Sequence, residues 1–381
     1  MPVFIRVMKK KIAILAQFPI WMADDSFHAP NRHFEVWLVS LFQALPELSQ
    51  EYEFHWISFD KSVKKTRRFE SHKQFIHILP GRSLRIGQLL HYVRERYLIS
   101  KELKLIQPDL LHAWGTETFY ALAGKSFRGR KILSMQGILT AYAERAPMAS
   151  FMLKQSKFEK KTMPEYPYIT AESPWAVDRC KELAPKSTVI QWEYSANEGF
   201  FHIERNLSKT PTCLIAGTST PVKDVETAIK AFSMPELSHI RLYMAGVNAE
   251  QYPNLPSNII PLGRVTRERI MELLSTVWCL VHPSLADCCP NIVKESRIIG
   301  VPCIVTHECG AKQYVINGKS GYVIPIKSPH ILAERVLDIT KDEQTSLSMG
   351  NYDRERCREA ISADTMIREL LKIYEMTLSA P

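Results

Sequence analysis

The sequence lacks an apolar run long enough to cross a membrane. A spanning helix needs about 18 to 20 consecutive apolar residues, and the longest apolar stretch, Ile12–Ala23, is interrupted by Gln17 and Pro19. Three lysines precede this stretch, as in a secretory leader, but no small-residue cleavage site follows it. We therefore predict that Lys11–Ala16 is the first buried strand of a globular chain. Its 381 residues are enough for about two domains.

Disulfide and zinc patterns are also absent. The eight cysteines include no Cys-x-x-Cys pair and no cluster with histidine at zinc-ligand spacing. Several lie in apolar runs, where a free thiol behaves as a small hydrophobic group. This cysteine usage predicts a reducing compartment, the cytoplasm.

The signatures of several enzyme classes are missing. Residues 124–126 and 318–320 both read Gly-Lys-Ser, but Phe119 and Gln313 stand where a phosphate-binding P-loop has its first glycine. The sequence has no GxGxxG after a strand and no GxSxG, which argues against a dinucleotide enzyme and a serine hydrolase. It also has no Asp-x-Asp, so nothing predicts a paired-carboxylate metal site for a nucleotide diphosphate.

Positive charge is concentrated in the first half of the chain. Residues 1–200 contain 29 Lys+Arg and 20 Asp+Glu, so they hold the whole net charge of +9. The densest clusters are Lys61–Arg68 and Lys154–Lys161. One interpretation is an ordinary solvated surface, and the other is a face that meets anionic lipid or an anionic acceptor. Nucleic acid is not an expected partner, because no nucleic-acid module accompanies the basic residues.

Short apolar runs alternate with amphipathic helical stretches along the whole chain. This alternation predicts an α/β protein with parallel sheets that are covered by helices on both faces. A polar stretch at Trp192–Pro211 divides it, so we predict domains at residues 1–195 and 205–360. Residues 361–381 contain an apolar helical stripe, and we predict a last helix that packs back on the first domain. Ligands of such sheets bind beyond the carboxyl ends of the strands.

The most informative stretch is Val281–Gly321, in which a strand is followed by a loop and a helix. Asp287 lies in the loop, Pro290 and Asn291 begin the helix, and Glu295 follows Asp287 after seven residues. A Gly-Val-Pro string then leads to the next strand and to Gly310. This order resembles the signature of retaining glycosyltransferases of the family-4 type, which have the GT-B fold of two facing Rossmann-like domains. The first carboxylate of that signature is usually Glu, whereas here it is Asp.

The resemblance implies a role for each of these residues. Asp287 would accept hydrogen bonds from the donor sugar, and Glu295 would bind the ribose diol of the nucleotide. The start of a helix offers unpaired N–H groups and partial positive charge to a phosphate, and the backbone around Asn291–Val293 is placed for this role. Pro290, Asn291 and Ile292 are therefore candidate donor-binding residues.

A second match to the family is Thr212–Phe232, where a strand is followed by glycine, a short loop and a lysine. Lys223 resembles the lysine that neutralises the donor phosphates, and Gly217 follows the strand. Ser219 and Thr220 can donate hydrogen bonds, because Thr218 stands where the family often has arginine. Arg264 is a further candidate for the phosphates, with an exposed surface arginine as the alternative.

Weaker matches lie in the first half of the chain. The string Gln107–His112 resembles a strand of the family and continues to Trp114 and Glu117, and a second string contains Gln136 and Gly137. Gln136 replaces a histidine near the donor sugar and can still bond a hydroxyl. The candidate residues for the acceptor side are His28, Arg32, Trp114, Glu117 and Gly137.

These matches predict a retaining glycosyltransferase that uses Asp287, Lys223 and Gln136 in catalysis. We expect it to move a sugar from a nucleotide-sugar donor to a glycan or a lipid-linked acceptor in cell-surface polysaccharide synthesis. We expect no metal and no cofactor, and a cytoplasmic protein that meets the inner face of the membrane peripherally. Two alternatives stay open: a sugar-nucleotide-binding homologue with weak catalysis, and a nucleotide-sugar epimerase of similar build.

Overall fold

A computed structural model of the protein describes residues 9–27 and 36–380. Its strands form two sheets. The strands of the first sheet are β1 (Lys10–Leu15), β2 (Tyr52–Asp60), β3 (Arg67–Ser71), β4 (Gln74–Pro80), β5 (Leu110–Trp114), β6 (Arg130–Met135), β7 (Tyr168–Ala171) and β8 (Thr188–Gln191). Those of the second sheet are β9 (Thr212–Ala216), β10 (Arg241–Ala245), β11 (Ile259–Gly263), β12 (Cys279–His282), β13 (Cys303–Thr306) and β14 (Gly321–Ile324).

Helices connect these strands and cover the sheets. The helices of the first half are α1 (Val36–Ala44), α2 (Leu84–Leu89), α3 (Val93–Ile106), α4 (Tyr120–Gly124), α5 (Leu139–Arg145), α6 (Ser150–Thr162) and α7 (Pro174–Leu183). Those of the second half are α8 (Val225–Phe232), α9 (Arg267–Thr276), α10 (Asn291–Ile299), α11 (Pro329–Thr340), α12 (Glu343–Asn351), α13 (Arg354–Ala360) and α14 (Ala363–Ser379). Among the residues described, no helix combines the length and the apolar character needed to span a bilayer.

Both sheets are mainly parallel, which confirms the predicted α/β class. The strand order is β3-β4-β2-β1-β5-β6-β7-β8 in the first sheet and β11-β10-β9-β12-β13-β14 in the second. Only the edge pair β3–β4 is antiparallel among the described strand pairs. Strand β1 begins with two lysines, and its buried part shows why such strands are apolar on both faces. Ile12 and Ile14 pack into one core cluster, while Ala13 and Leu15 pack into the cluster on the opposite face.

The last helix returns to the first sheet. Met366, Leu370 and Tyr374 of α14 are buried in the core cluster that also contains Ile12 and Ile14 of β1. The Tyr374 hydroxyl lies 2.9 Å from Nδ1 of His112 on β5. The indole N–H of Trp192 donates to the carbonyl of Met366 at 3.0 Å. Side chains from three distant parts of the chain therefore tie the carboxyl-terminal helix to the first sheet.

One predicted helix is interrupted. The pattern over Leu84–Leu105 predicts a single helix, but the structure has α2 and α3 with a break between them. His91 and Tyr92 have φ angles of 49° and 53° in the break, and the left-handed region is unfavourable for side chains of this size. Tyr92 is fully buried, so tertiary packing selects the break.

Candidate active site

The site is built on the loop between β12 and α10, which runs beside the loop that follows β13. The Asp287 amide donates to the carbonyl of Glu308 at 3.1 Å, and the Gly310 amide donates to the carbonyl of Asp287 at 2.8 Å. A side chain at position 310 would overlap the carbonyl oxygen of Cys288, so only glycine fits there. These backbone contacts fix Asp287 at the carboxyl end of the second sheet.

The Asp287 carboxylate contacts the side chains of Lys223 and His282. Its Oδ2 lies 2.5 Å from Nζ of Lys223 and 3.0 Å from Nε2 of His282, the last residue of β12. Burial raises the pKa of the Asp287 carboxyl, but the Lys223 ammonium and His282 outweigh burial and hold it well below its usual range. Burial also lowers the pKa of Lys223, yet Asp287 more than offsets this effect and raises it. The site thus keeps an ionised carboxylate and an ammonium in contact.

Lys223 reaches Asp287 from the loop after β9. It ends a single 3-10 turn, Pro221–Lys223, which precedes α8. Asp224 follows with φ 47° and accepts a hydrogen bond from the Thr227 hydroxyl at 2.6 Å. At the start of this loop, Gly217 lies so close to Gly246 that a side chain at position 246 would overlap the carbonyl of Gly217. The tight backbone and the contact between Asp224 and Thr227 at the start of α8 position the lysine.

Helix α10 begins beside Asp287. Pro290 precedes it as the N-cap residue, and the Val293 amide donates to the Pro290 carbonyl at 3.1 Å. Glu295 lies on the next turn and is 9% exposed. Burial raises its pKa to about 7, although Arg267 and Lys294 partly oppose this effect. Its carboxyl therefore titrates near neutral pH.

The first sheet contributes the loops that follow β5 and β6. The Gly137 amide donates to Oε1 of Glu117 at 2.7 Å, so this carboxylate joins the two loops. Burial raises the pKa of Glu117 to about 7. Gly115 has φ 67°, and a side chain there would overlap the Glu117 carboxylate and crowd Gln136.

A cavity of about 400 Å³ lies between the two sets of loops. Seven of the predicted site residues line it: Trp114, Glu117, Gln136, Gly137, Asp287, Pro290 and Asn291. Lys223 joins this group through Asp287. The cavity confirms no chemical role, but it brings both predicted halves of the site together.

The other predicted residues lie outside the lining of this cavity. Gly217 and Thr220 belong to the loop that carries Lys223, and the Ser219 hydroxyl accepts a hydrogen bond from Gln251 at 2.7 Å. Arg264 is exposed just beyond β11. Ile292 and Glu295 are on α10, behind the helix start. His28 and Arg32 lie outside the residues that the structure describes.

Sequence reasoning missed several residues of the site. Glu172, next to β7, lines the cavity and forms an ion pair with Lys294 of α10 at 2.5 Å. The Tyr142 hydroxyl accepts a hydrogen bond from the Cys288 amide at 3.3 Å. His282 could have been identified from the sequence, because it ends a buried strand and precedes the loop that contains Asp287. Nothing in the sequence marks Glu172 or Lys294 as partners.

No group of three or more histidine, cysteine or acidic side chains within residues 9–27 and 36–380 is arranged to hold a metal ion.

Comparisons with known proteins give matches to glycosyltransferases. Residues 198–356 match the family described as Glycosyl transferases group 1. The chain is 23% identical over 341 residues to an uncharacterized glycosyltransferase of Methanocaldococcus jannaschii, a match that covers 86% of this chain and 90% of that protein. It is 26% identical over 98 residues to the capsular polysaccharide biosynthesis glycosyltransferase CapM of Staphylococcus aureus, which covers 26% of either chain. The second part of the chain therefore carries a glycosyl transferases group 1 domain.

Solved structures share the whole architecture. Sucrose-phosphate synthase from Thermosynechococcus elongatus has a TM-score of 0.78 at 13% identity, over 98% of this chain and 100% of that one. Anabaena HepE in complex with UDP-glucose has a TM-score of 0.68 at 12% identity, over 96% of this chain and 99% of that one. These likenesses confirm the predicted GT-B fold.

Proposed function

We propose that the protein is a retaining glycosyltransferase that moves a sugar from a nucleotide-sugar donor to a glycan or a lipid-linked acceptor. The observation that carries this proposal is the contact between Lys223 and Asp287 at a cavity that both sheets line. The group 1 domain at residues 198–356 supports the same reaction class.

The contact suits the chemistry of a sugar nucleotide. In such a donor, the phosphate is bonded directly to the anomeric carbon, so a cation for the phosphate and an acceptor for a sugar hydroxyl must be close together. Lys223 and Asp287 meet this requirement, since their charged atoms are 2.5 Å apart. We assign the phosphate to Lys223 and a sugar hydroxyl to Asp287.

The surrounding groups extend this assignment. The start of α10 supplies the diphosphate with partial positive charge and with the backbone N–H groups of Asn291 and Ile292, which follow Pro290. Glu295 binds the ribose diol, and Gln136 bonds a sugar hydroxyl from the other side of the cavity. Gly217, Ser219, Thr220, Ile292 and Arg264 complete the donor side in this proposal.

The proposed step is a front-face substitution. The acceptor hydroxyl oxygen bonds to the anomeric carbon while the bond from that carbon to the diphosphate oxygen breaks. The acceptor proton passes to the departing phosphate oxygen, so the configuration is retained without a covalent sugar–enzyme intermediate. Lys223 stabilises the negative charge that develops on the leaving group, and the protein's main contribution is orientation and electrostatics.

Two finer assignments follow from the relatives. HepE was solved with UDP-glucose, which supports a uridine diphosphate sugar as the donor. CapM acts in capsular polysaccharide biosynthesis according to its name, which supports a cell-surface polysaccharide as the product. We further propose that Lys223 and the α10 start replace a metal ion, so transfer needs no divalent cation.

A thermal-shift screen across nucleotide diphosphates and their sugars tests the donor assignment, because a ligand that binds the folded state raises the melting temperature. We expect stabilisation by UDP and by a UDP-sugar. Turnover of that sugar is then measured in excess chelator. Release of UDP that persists in chelator supports the proposal. Isomerisation of the sugar would identify an epimerase, and binding without turnover would identify a sugar-nucleotide-binding homologue.

A further inference from the structure

Helices α2, α3 and α6 expose an unusual number of large apolar side chains. Seven of the ten large apolar residues that are exposed in the described structure belong to α2, α3, α6 or the α2–α3 junction. They are Ile86, Leu89, Leu90, Val93, Tyr97, Leu105 and Leu153, and their exposed fractions run from 46% to 73%. Scattered apolar residues are normal on a surface, but a concentration of this size marks an interaction site.

On the same helices, the acidic side chains are buried while the basic side chains are exposed or half-buried. Their three carboxylates, Glu95, Glu102 and Glu159, are at most 2% exposed. Arg82 pairs with Glu95 at 2.5 Å and Arg68 pairs with Glu102 at 2.6 Å.

The third carboxylate, Glu159, is satisfied by neutral donors. It accepts hydrogen bonds from the Thr116 hydroxyl at 2.5 Å and from the backbone amides of Leu139 and Thr140. Lysine and arginine side chains on the outer side of these helices are exposed or half-buried: Arg85, Arg96, Lys101, Lys104, Lys154, Lys157, Lys160 and Lys161. The outer side therefore presents positive charge among apolar side chains.

Packing joins the helices into one surface. The Gln88 side chain donates to the carbonyl of Phe151 at 2.9 Å, which ties α2 to α6. The rings of His91 and Phe158 lie 5.5 Å apart. Along α3, the exposed residues Val93, Tyr97 and Lys101 follow one another at intervals of four, so they lie on one stripe of the helix.

A groove beside α3 is also positively charged. It encloses about 810 Å³ between α3 and the segment around Phe127. Three of its lining residues are cationic, Arg96, Lys104 and Arg128, and none of its lining residues is acidic. Such a groove favours a phosphate-bearing head group.

We propose that this surface docks on an anionic lipid bilayer. We call it the basic apolar face and define it by the seven apolar and eight basic residues given above. The apolar side chains enter the acyl boundary while the cations contact the lipid head groups, as in interfacial helices. The face includes Lys154–Lys161 but not Lys61–Arg68, where Arg67 and Arg68 are already paired with Asp24 and Glu102.

The docked face connects to the candidate site. A cavity of about 360 Å³ is lined by Leu84 and Gly87 of α2 and also by Gln17 and Tyr120, which line the candidate site as well. If the protein is the glycosyltransferase proposed above, a lipid-linked acceptor reaches the donor from the membrane side along this path. Membrane docking itself does not depend on that activity.

Vesicle flotation tests the docking without donor or acceptor, so its outcome is independent of catalysis. Vesicles of phosphatidylcholine with about one third phosphatidylglycerol are compared with pure phosphatidylcholine vesicles. We expect binding to the anionic vesicles alone, and binding that weakens as salt rises. Equal recovery with both compositions, or binding that does not respond to salt, would overturn the proposal.

Two variants, each with a matched control, test which residues contact the vesicle. Lys154→Glu/Lys157→Glu/Lys161→Glu should lower the vesicle partition coefficient by at least about 100-fold, because each basic residue near an anionic leaflet contributes roughly a factor of five. The matched control Lys209→Glu/Lys230→Glu/Lys341→Glu changes the same charge on exposed residues of the second half and should keep most of the binding. An equal loss in both triple variants would contradict a defined face.

The apolar part of the face is tested by Leu89→Ser/Val93→Ser, with Ile331→Ser/Tyr352→Ser as the control pair. We expect weaker vesicle binding in the first pair alone, with unchanged melting temperatures in both. Sedimentation without vesicles tests the alternative that a second copy of the chain covers the face. A wild-type dimer that Leu89→Ser/Val93→Ser dissociates would show that a second copy covers the face, and would overturn the membrane proposal.

Discussion

Lys294 of α10 and Glu172, next to β7, form a buried ion pair between the two sheets, with Nζ 2.5 Å from Oε1. The Lys294 side chain is fully buried and also donates to the carbonyl of Tyr194 at 3.0 Å. Burial lowers the pKa of Lys294, but Glu172 more than offsets this and raises it, so the ammonium stays charged. Glu172 also lines the site cavity, so the pair joins the two sheets beside the site.

We predict that Lys294→Met destabilises the fold by about 3–5 kcal/mol, because it leaves the Glu172 carboxylate buried without its partner. Urea denaturation measures the change in the free energy of unfolding. Lys294→Met/Glu172→Gln should recover much of the loss, since it removes both charges. Lys372→Met, which breaks an exposed pair with Glu369, should change stability by under about 0.5 kcal/mol. Equal effects of the two single substitutions would contradict a structural role for the buried pair.

Glu193 predicts a pH dependence of stability. Its Oε2 atom is buried without a hydrogen-bond partner, and burial raises the carboxyl pKa from 4.5 to about 7. The folded state therefore binds this proton more tightly than the unfolded state, so stability falls as pH rises from about 4.5 to 7.

Glu193→Gln removes that loss and should stabilise the protein by about 1–3 kcal/mol at pH 8. The gain should shrink toward zero near pH 4.5. Denaturation curves at pH 5 and pH 8 measure it, with the exposed Glu236→Gln as the control. A gain that is the same at both pH values would show that ionisation of Glu193 is not its cause.

The fold could be predicted from the sequence because the buried parts of parallel strands are apolar on both faces. β1, β9 and β12 contain such apolar runs, and each lies where the apolar pattern places it. The apolar pattern does not predict β3, because it is an edge strand of exposed and half-buried residues, Arg67–Ser71, within and beside a basic cluster. The break between α2 and α3 was missed because packing of Tyr92 decides it, and no local signal marks it.

The site was partly predictable for the same physical reason. Asp287 and Lys223 follow strands in recognisable local patterns, so sequence places both at one edge of the second sheet. Their contact with each other depends on the loop geometry around Gly310 and could not be read from spacing. Glu172 belongs to the other sheet, and a pairing across 122 residues leaves no trace in local sequence.

The raised pKa of Glu295 leads us to expect that nucleotide affinity changes with pH. The ionised carboxylate is the better acceptor for the ribose hydroxyls, and its pKa of about 7 means that it ionises between pH 6 and pH 8. The ratio of UDP affinities of wild type and Glu295→Gln should therefore rise over this range to about 10–100. Calorimetry measures both affinities. Taking their ratio removes the effect of protonation of UDP itself, which is the same for both proteins. A ratio of one at every pH would remove Glu295 from the donor site.

Donor hydrolysis by wild type and Lys223→Met, with water in place of the acceptor, tests retaining transfer and the role of Lys223 together. Release of UDP gives the rate, and early proton NMR spectra give the configuration of the freed sugar. We expect release of the α-sugar from an α-linked donor. We also expect a fall in kcat of about 100- to 1000-fold in Lys223→Met with little change in KM, because the lysine acts on charge that develops in the transition state. Lys230→Met on the next helix should behave as wild type. Release of the β-sugar would exclude a retaining enzyme, and an undiminished rate in Lys223→Met would exclude the lysine from stabilising the leaving group.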